Sequence, residues 1–399
     1  MRRLLRALPI LSFAAALAPV LAARPAGAEG KPAEFSFSPS VNVAAVVDDD
    51  LFLTDSDKKS SFGVWVQPRV ELGYRTEILD LGADLGADVR RYGDYYSKLA
   101  DEFWRMSGHA QVGLLPGLTF RVANAYVPAP VELGLPPDQG TNMVQTNRTD
   151  TELRYWRELP GERELSVGAR GTRFFSDDFS EEVPGSGGTT ILDDNFHADY
   201  WGGTAYAEYR EPFGTRTGAY VRAETGYRTF DDSSRSDNLD YTLLVGLHSQ
   251  RFRNAEIDLA GGYGQIRFDS LGTQPRIVGR ASLRYRLPYD WTWNLGVNHL
   301  TAADLMGNSA LETSGNLGVE KRFEDGRTAA SVNVFLTRYD SNSLGSGPNW
   351  FGGAQVQVRR QLTRHTQVRI SYRFWDNQGD YKVDDMQQNR LLVELNLHY

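Results

Sequence analysis

From about residue 34 onward the chain alternates small or apolar residues with polar or glycine residues, in roughly 18 runs of about 9 to 14 positions each. Leu79, Leu81, Ala83, Leu85, Ala87 and Val89 interleave with Asp80, Gly82, Asp84, Gly86, Asp88 and Arg90. Ile277, Gly279, Ala281, Leu283, Tyr285 and Leu287 stand against Arg276, Arg280, Arg284 and Arg286, and Thr217 to Tyr227 repeats the pattern against Tyr220, Arg222, Glu224 and Arg228. Successive strand side chains point to opposite faces, so each run predicts a strand with one oily and one charged face. A single run of this kind fits a soluble sandwich equally well. The number of runs, and a length that spans a bilayer when the strand tilts, predict a transmembrane antiparallel β-barrel of about 18 strands.

The breaks between runs support that reading. Short turns are predicted near 75–78, 115–117, 159–162, 211–215, 252–254, 288–290, 323–327 and 362–365. Between them fall longer breaks at 48–60, 94–101, 127–145, 176–196, 231–237, 269–274, 301–309, 340–349 and 376–388. Alternating short and long connections belong to outer-membrane barrels, with short turns and both termini expected on the periplasmic side. Arg2, Arg3 and Arg6, the apolar stretch Leu8 to Val20 and the small-residue site Ala26-Gly27-Ala28 predict a signal peptide over 1–28, leaving 29–399 as a single barrel domain. Leu391, Val393, Leu395, Leu397 and Tyr399 form a last strand with an aromatic end, the kind of ending read by the barrel assembly machinery.

Composition narrows the class further. A mean hydropathy of −0.44 does not suit a helical membrane protein, and the absence of cysteine removes disulfides and thiolate metal sites. A net charge of −8 argues against nucleic acid as a partner. The aromatic residues gather near strand ends: Trp65, Tyr74, Trp104, Tyr126, Tyr155, Trp156, Tyr200, Trp201, Tyr227, Trp291, Trp293, Trp350, Phe374 and Trp375 are expected to form girdles at the lipid headgroups. Acidic residues crowd the long breaks, among them Asp48, Asp49 and Asp50. They read as a solvated surface that meets outer-membrane lipids and lipopolysaccharide, and their spacing is not that of a calcium loop, so no metal or cofactor is expected.

The polar face supplies the candidate lining: Arg69, Arg90, Arg105, Arg121, Arg154, Arg222, Arg276, Arg280 and Arg284, with Asp80, Asp84, Asp88 and Glu224. On the lipid side an arginine would cost about 2–4 kcal/mol at the midplane, so these side chains are expected to face a lumen. Two readings of that lumen stand open. Either the two signs pair across neighbouring strands, or a partly unpaired stripe such as Arg276, Arg280 and Arg284 guides an anionic solute, because guanidinium forks grip carboxylates and phosphates. Tyr220 and Trp65 are candidates for stacking on sugar rings. The 6 histidines are scattered, and no nucleophile, metal or phosphate-loop motif accompanies them, so no catalytic activity is expected.

The strands begin close to the predicted cleavage site, which leaves no room for an N-terminal plug. Val43-Ala44-Ala45-Val46-Val47-Asp48-Asp49-Asp50-Leu51-Phe52, Val66-Gln67-Pro68-Arg69-Val70-Glu71-Leu72, Arg90-Arg91-Tyr92-Gly93 and Asn124-Ala125-Tyr126-Val127-Pro128-Ala129-Pro130 give the chain a resemblance to a β-barrel porin family associated with exopolysaccharide and capsule systems. That resemblance implies a passive conduit for an exported polysaccharide, in contact with periplasmic polysaccharide-export components. The alternatives are a general or substrate-selective diffusion porin for small, anionic solutes, and a closed structural or adhesive barrel. The breaks at 127–145 and 176–196 are candidate constrictions or lids.

Overall fold

The computed structural model describes residues 33–49, 60–93, 101–130, 143–176, 181–185, 188–192, 199–231, 237–252, 254–268, 272–303, 309–341, 349–378 and 386–399. The predicted signal peptide lies outside them, as do Asp50, most of the break at 127–145 and part of that at 176–196.

In chain order the strands are β1 (Glu34–Asp48), β2 (Ser61–Arg75), β3 (Leu79–Tyr92), β4 (Asp101–Leu115), β5 (Leu118–Pro130), β6 (Met143–Leu159), β7 (Arg163–Ser176), β8 (Glu181–Gly185), β9 (Gly188–Leu192) and β10 (Tyr200–Pro212). They continue as β11 (Thr217–Phe230), β12 (Asn238–Ser249), β13 (Ala255–Phe268), β14 (Gly272–Leu287), β15 (Trp291–Ala303), β16 (Ser309–Arg322), β17 (Thr328–Ser341), β18 (Asn349–Thr363), β19 (Thr366–Gln378) and β20 (Met386–His398). Eighteen of them pair antiparallel with their neighbours in one sheet, and β1 pairs with β20, so the sheet closes on itself. No edge is left to template pairing, and the ladder groups find their partners without water. The extra hairpin β8–β9 has no counterpart among the predicted runs: it forms within the break at 176–196 and takes no part in the barrel, where β7 pairs directly with β10.

The predicted short turns all join consecutive barrel strands. Pro116-Gly117 makes one of the two tightest, and Gly117 carries a φ of +79° that a side chain would strain. Glu34 and His398 lie at this short-turn end of the barrel.

Side chains separate by parity. Val64, Val66, Leu85, Ile277, Leu295, Val334 and Val393 are exposed, while Asp88, Arg90, Arg276, Glu208 and Glu394 on the alternate positions are buried. Crowding on the concave side explains the contrast, since the inner face of a closed sheet converges and the outer face diverges. Ile277 is 77% exposed and its neighbour Arg276 only 8%. In water that exterior would be a large apolar patch; in a bilayer it is the lipid-facing belt. No helix among the described residues is long and apolar enough to cross a membrane.

The seam between the first and last strands buries the charges of Asp48 and Arg390. Asp48 accepts hydrogen bonds from Arg390 Nε at 2.8 Å and from Gln388 Nε2 at 2.9 Å. Asp49 accepts from the Asn389 backbone N–H and side-chain amide, each at 2.6 Å. The acidic patch expected to be solvent-facing is, at Asp48 and Asp49, a clasp across the closing strand pair.

Candidate pore lining

Cross-strand register places the candidate residues on one face. Asp80, Asp84 and Arg90 of β3 stand level with Arg75, Glu71 and Trp65 of β2, and Asp88 shares their inward face, as does Arg105 of β4, which stands opposite Gly86. Arg121 of β5 faces Glu152 of β6, Arg154 lies two residues further along the same face, and Arg222 and Glu224 of β11 face Glu208 and Tyr206 of β10. Arg276, Arg280 and Arg284 of β14 face Gly264, Ala260 and Glu256 of β13. Every residue of the predicted set therefore projects inward, where its charge avoids hydrocarbon.

Pairing divides them. Arg69 donates through Nε to both Asp84 carboxylate oxygens at 2.7 and 2.8 Å and approaches Glu71 at 3.2 Å. Arg75 meets Asp80 at 2.8 Å. Asp88 is fully buried and accepts from Arg90 at 2.8 Å and from Arg105 at 3.5 Å. Arg222 bridges Glu224 at 2.7 Å and Glu208 at 3.4 Å, and Arg280 reaches Asp258 at 3.3 Å. By contrast no ion pair among the described residues involves Arg121, Arg154, Arg276 or Arg284. Arg154 settles on the Ser166 hydroxyl at 3.2 Å. Arg276 donates to Gln274 at 2.9 Å, and its Nη1 is buried without a partner.

Tyr220 and Trp65 do not offer faces to a sugar. Tyr220 is 5% exposed with the Arg280 guanidinium 5.7 Å above its ring, and Trp65 is 4% exposed between the guanidiniums of Arg90 at 4.7 Å and Arg390 at 5.6 Å. Both stacking faces are already taken by arginine. The expected girdle is similarly incomplete. Trp104, Trp201, Tyr227, Trp291, Trp293 and Trp350 are exposed on the outer face. Trp65, Tyr200 and Trp375 turn inward, where Tyr200 stacks on Phe174 at 5.1 Å and Trp375 on Phe351 at 5.7 Å. Proximity to a strand end fixes height in the membrane; parity fixes the side.

Several inward residues escaped the sequence reading: Tyr206, Glu208, Arg210, Gln388 and Arg390. Parity alone would have found Tyr206, Glu208 and Arg210, which continue the inward series of Gly202 and Thr204 on β10. Among the described residues no group of three or more histidine, aspartate or glutamate side chains could hold a metal ion. His299, on the outer face, bonds Thr313 at 2.8 Å, while His248 lies inward, 3.8 Å from Asp258.

Solved structures share this architecture. Pseudomonas aeruginosa OccK2 (OpdF) superposes with a TM-score of 0.53 at 14% identity, over 92% of this chain and 98% of that one. The barrel has the porin fold. A BenF-like porin from Pseudomonas fluorescens gives 0.52 at 12% identity over 92% and 99%, and Pseudomonas aeruginosa OpdK with vanillate gives 0.51 at 14% over 91% and 99%. No protein-family model matches the chain, and no curated protein does. At these identities the likeness is one of fold; with the apolar outer belt, the porin fold places the chain in the bacterial outer membrane. The resemblance to export-associated barrels extends as far as this fold, and nothing in the comparisons carries it on to polysaccharide export.

Proposed function

We propose that the barrel is a diffusion porin that passes small solutes with a bias toward anions, the short-turn end facing the periplasm. The observation that carries this is the arginine series on β14. Arg276 and Arg284 project inward without an ion-pair partner, on either side of Arg280, and Arg276 keeps a buried Nη1 with hydrogen-bonding capacity unspent. Four residues of strand separate successive arginines, about 13 Å along the wall. A carboxylate moving along it would exchange one guanidinium for the next, each hold being strong enough to draw it in and weak enough to release it.

Fold neighbours support the same reading. OpdK was solved with vanillate and OccK2 (OpdF) with glucuronate, both small carboxylates. A polysaccharide conduit, the first expectation from sequence, draws no comparable support. Single-channel recording of the purified protein tests the proposal: open-channel current with a reversal potential on the anion side in a salt gradient is expected. A closed barrel, or a channel with no charge preference, would overturn it.

A further inference from the structure

Two adjacent strands repeat one arrangement. On β10, Tyr206 lies directly across from Gly168 of β7, and a Cβ on that glycine would fall 2.6 Å from the Tyr206 Cζ. On β11, Tyr220 lies directly across from Gly246 of β12, and a Cβ there would overlap the Tyr220 ring more severely. Each ring therefore lies flat on the wall because its cross-strand neighbour has no side chain. Above each ring is an arginine: Arg222 lies 4.9 Å from the Tyr206 centroid and Arg280 lies 5.7 Å from that of Tyr220. Each hydroxyl is tied down, Tyr206 donating to Glu152 at 3.0 Å, and Tyr220 donating to Asp258 at 3.1 Å while accepting from Arg280 at 2.9 Å.

We infer that these two stacks, Gly168–Tyr206–Arg222 and Gly246–Tyr220–Arg280, set the bore and the charge preference of the pore along the β10–β14 wall. Glycine is the floor, the flattened tyrosine is a spacer of fixed thickness, and the arginine is held one ring-thickness from the backbone. A side chain on the floor would tip the ring toward the axis, carrying bulk and the guanidinium with it. The Tyr220 stack also borders a hollow of about 450 Å³ at the short-turn mouth, lined in addition by Glu164, Arg210 and His248, so a tipped ring would encroach on space that a solute crosses. Tyr206 and Tyr220 are thus positioning residues, acting through Arg222 and Arg280. The inference rests on the porin reading above.

Planar-bilayer recording of Gly168→Ala/Gly246→Ala tests it, with Gly261→Ala as control because a Cβ there meets nothing within 4 Å. The double variant is expected to lose conductance and shift its reversal potential, the control to match wild type, and Tyr220→Ala added to Gly246→Ala to restore the current. A conducting wild type whose double variant conducts identically overturns the stacks and leaves the porin reading standing. A wild type without current overturns the porin reading, and the stacks with it. Should the glycine variants fail to insert, Tyr206→Phe/Tyr220→Phe decides: rings and floors stay while the hydroxyl ties are lost. A shifted reversal potential is then expected, and an unchanged one overturns the inference.

Discussion

The β2–β4 wall and the β14 wall both line the lumen with arginine, yet their charges end in opposite conditions. On the first, β3 lays down Asp80, Asp84 and Asp88 between two arginine-bearing strands, so Arg75, Arg69, Arg90 and Arg105 each find a carboxylate within 3.5 Å. On the second, the register partners of Arg276, Arg280 and Arg284 are Gly264, Ala260 and Glu256 on β13, with Asn298 and Asn294 opposite the last two on β15. Only Arg280 forms an ion pair among the described residues, with the diagonal Asp258. The two readings open from sequence, mutual neutralisation and an unpaired stripe, thus each describe one wall. What a lining offers a solute depends on which residues stand opposite its arginines, more than on how many arginines it has.

The contrast can be tested from its strongest point outward. Asp48→Ala, at the seam beside the paired wall, should have the largest effect, because it removes the carboxylate that answers the buried Arg390 guanidinium. Breaking such a pair costs about 3–5 kcal/mol, and urea titration of the detergent-folded protein followed by tryptophan fluorescence should show the midpoint falling accordingly. Arg276→Gln/Arg284→Gln should leave that midpoint near wild type while moving the reversal potential toward the cation side. If selectivity holds instead, the β14 wall has no special standing. Asp84→Asn asks the converse question. It takes from Arg69, whose side chain is half exposed, one of its two carboxylates and leaves Glu71, so the stability change should stay below about 1 kcal/mol, while anion preference should rise modestly as the paired wall comes to resemble the other.

The smallest effect belongs to a turn outside both walls. The Thr328 hydroxyl and the backbone N–H groups of Thr328 and Arg327 hold the Asp325 carboxyl below the usual carboxylate range. A depressed folded-state pKa means the contribution is present above the unfolded value and is lost as pH falls through the folded one. Asp325→Asn should therefore remove a small acid-side slope from the pH dependence of unfolding and alter neither wall's selectivity.

The fold was legible because its two signals are local. Alternation within a run and the length of the gap after it are both properties of contiguous residues, and they located every short turn. Parity likewise put the candidate arginines on one face. The β8–β9 hairpin was missed because its strands of 5 residues are too short for alternation to stand out. Pairing was not legible, since whether Arg276 meets a carboxylate depends on a register set by other strands. Nor was the burial of Tyr220, which follows from a glycine 26 residues away that lies opposite only once β11 and β12 align. Asp48 misled in the same way: as sequence it belongs to an acidic surface run, and only closure of the barrel brings Gln388 and Arg390 to it.

That closure has a consequence for how the molecule is made. The contacts of Asp48 and Asp49 span 340 and 342 positions of chain. The first strand can make these contacts only once the final one arrives. A polypeptide cut short before β20 would lack both this clasp and the strand that closes the ring, so sealing has to come late, after the whole length of chain is in hand.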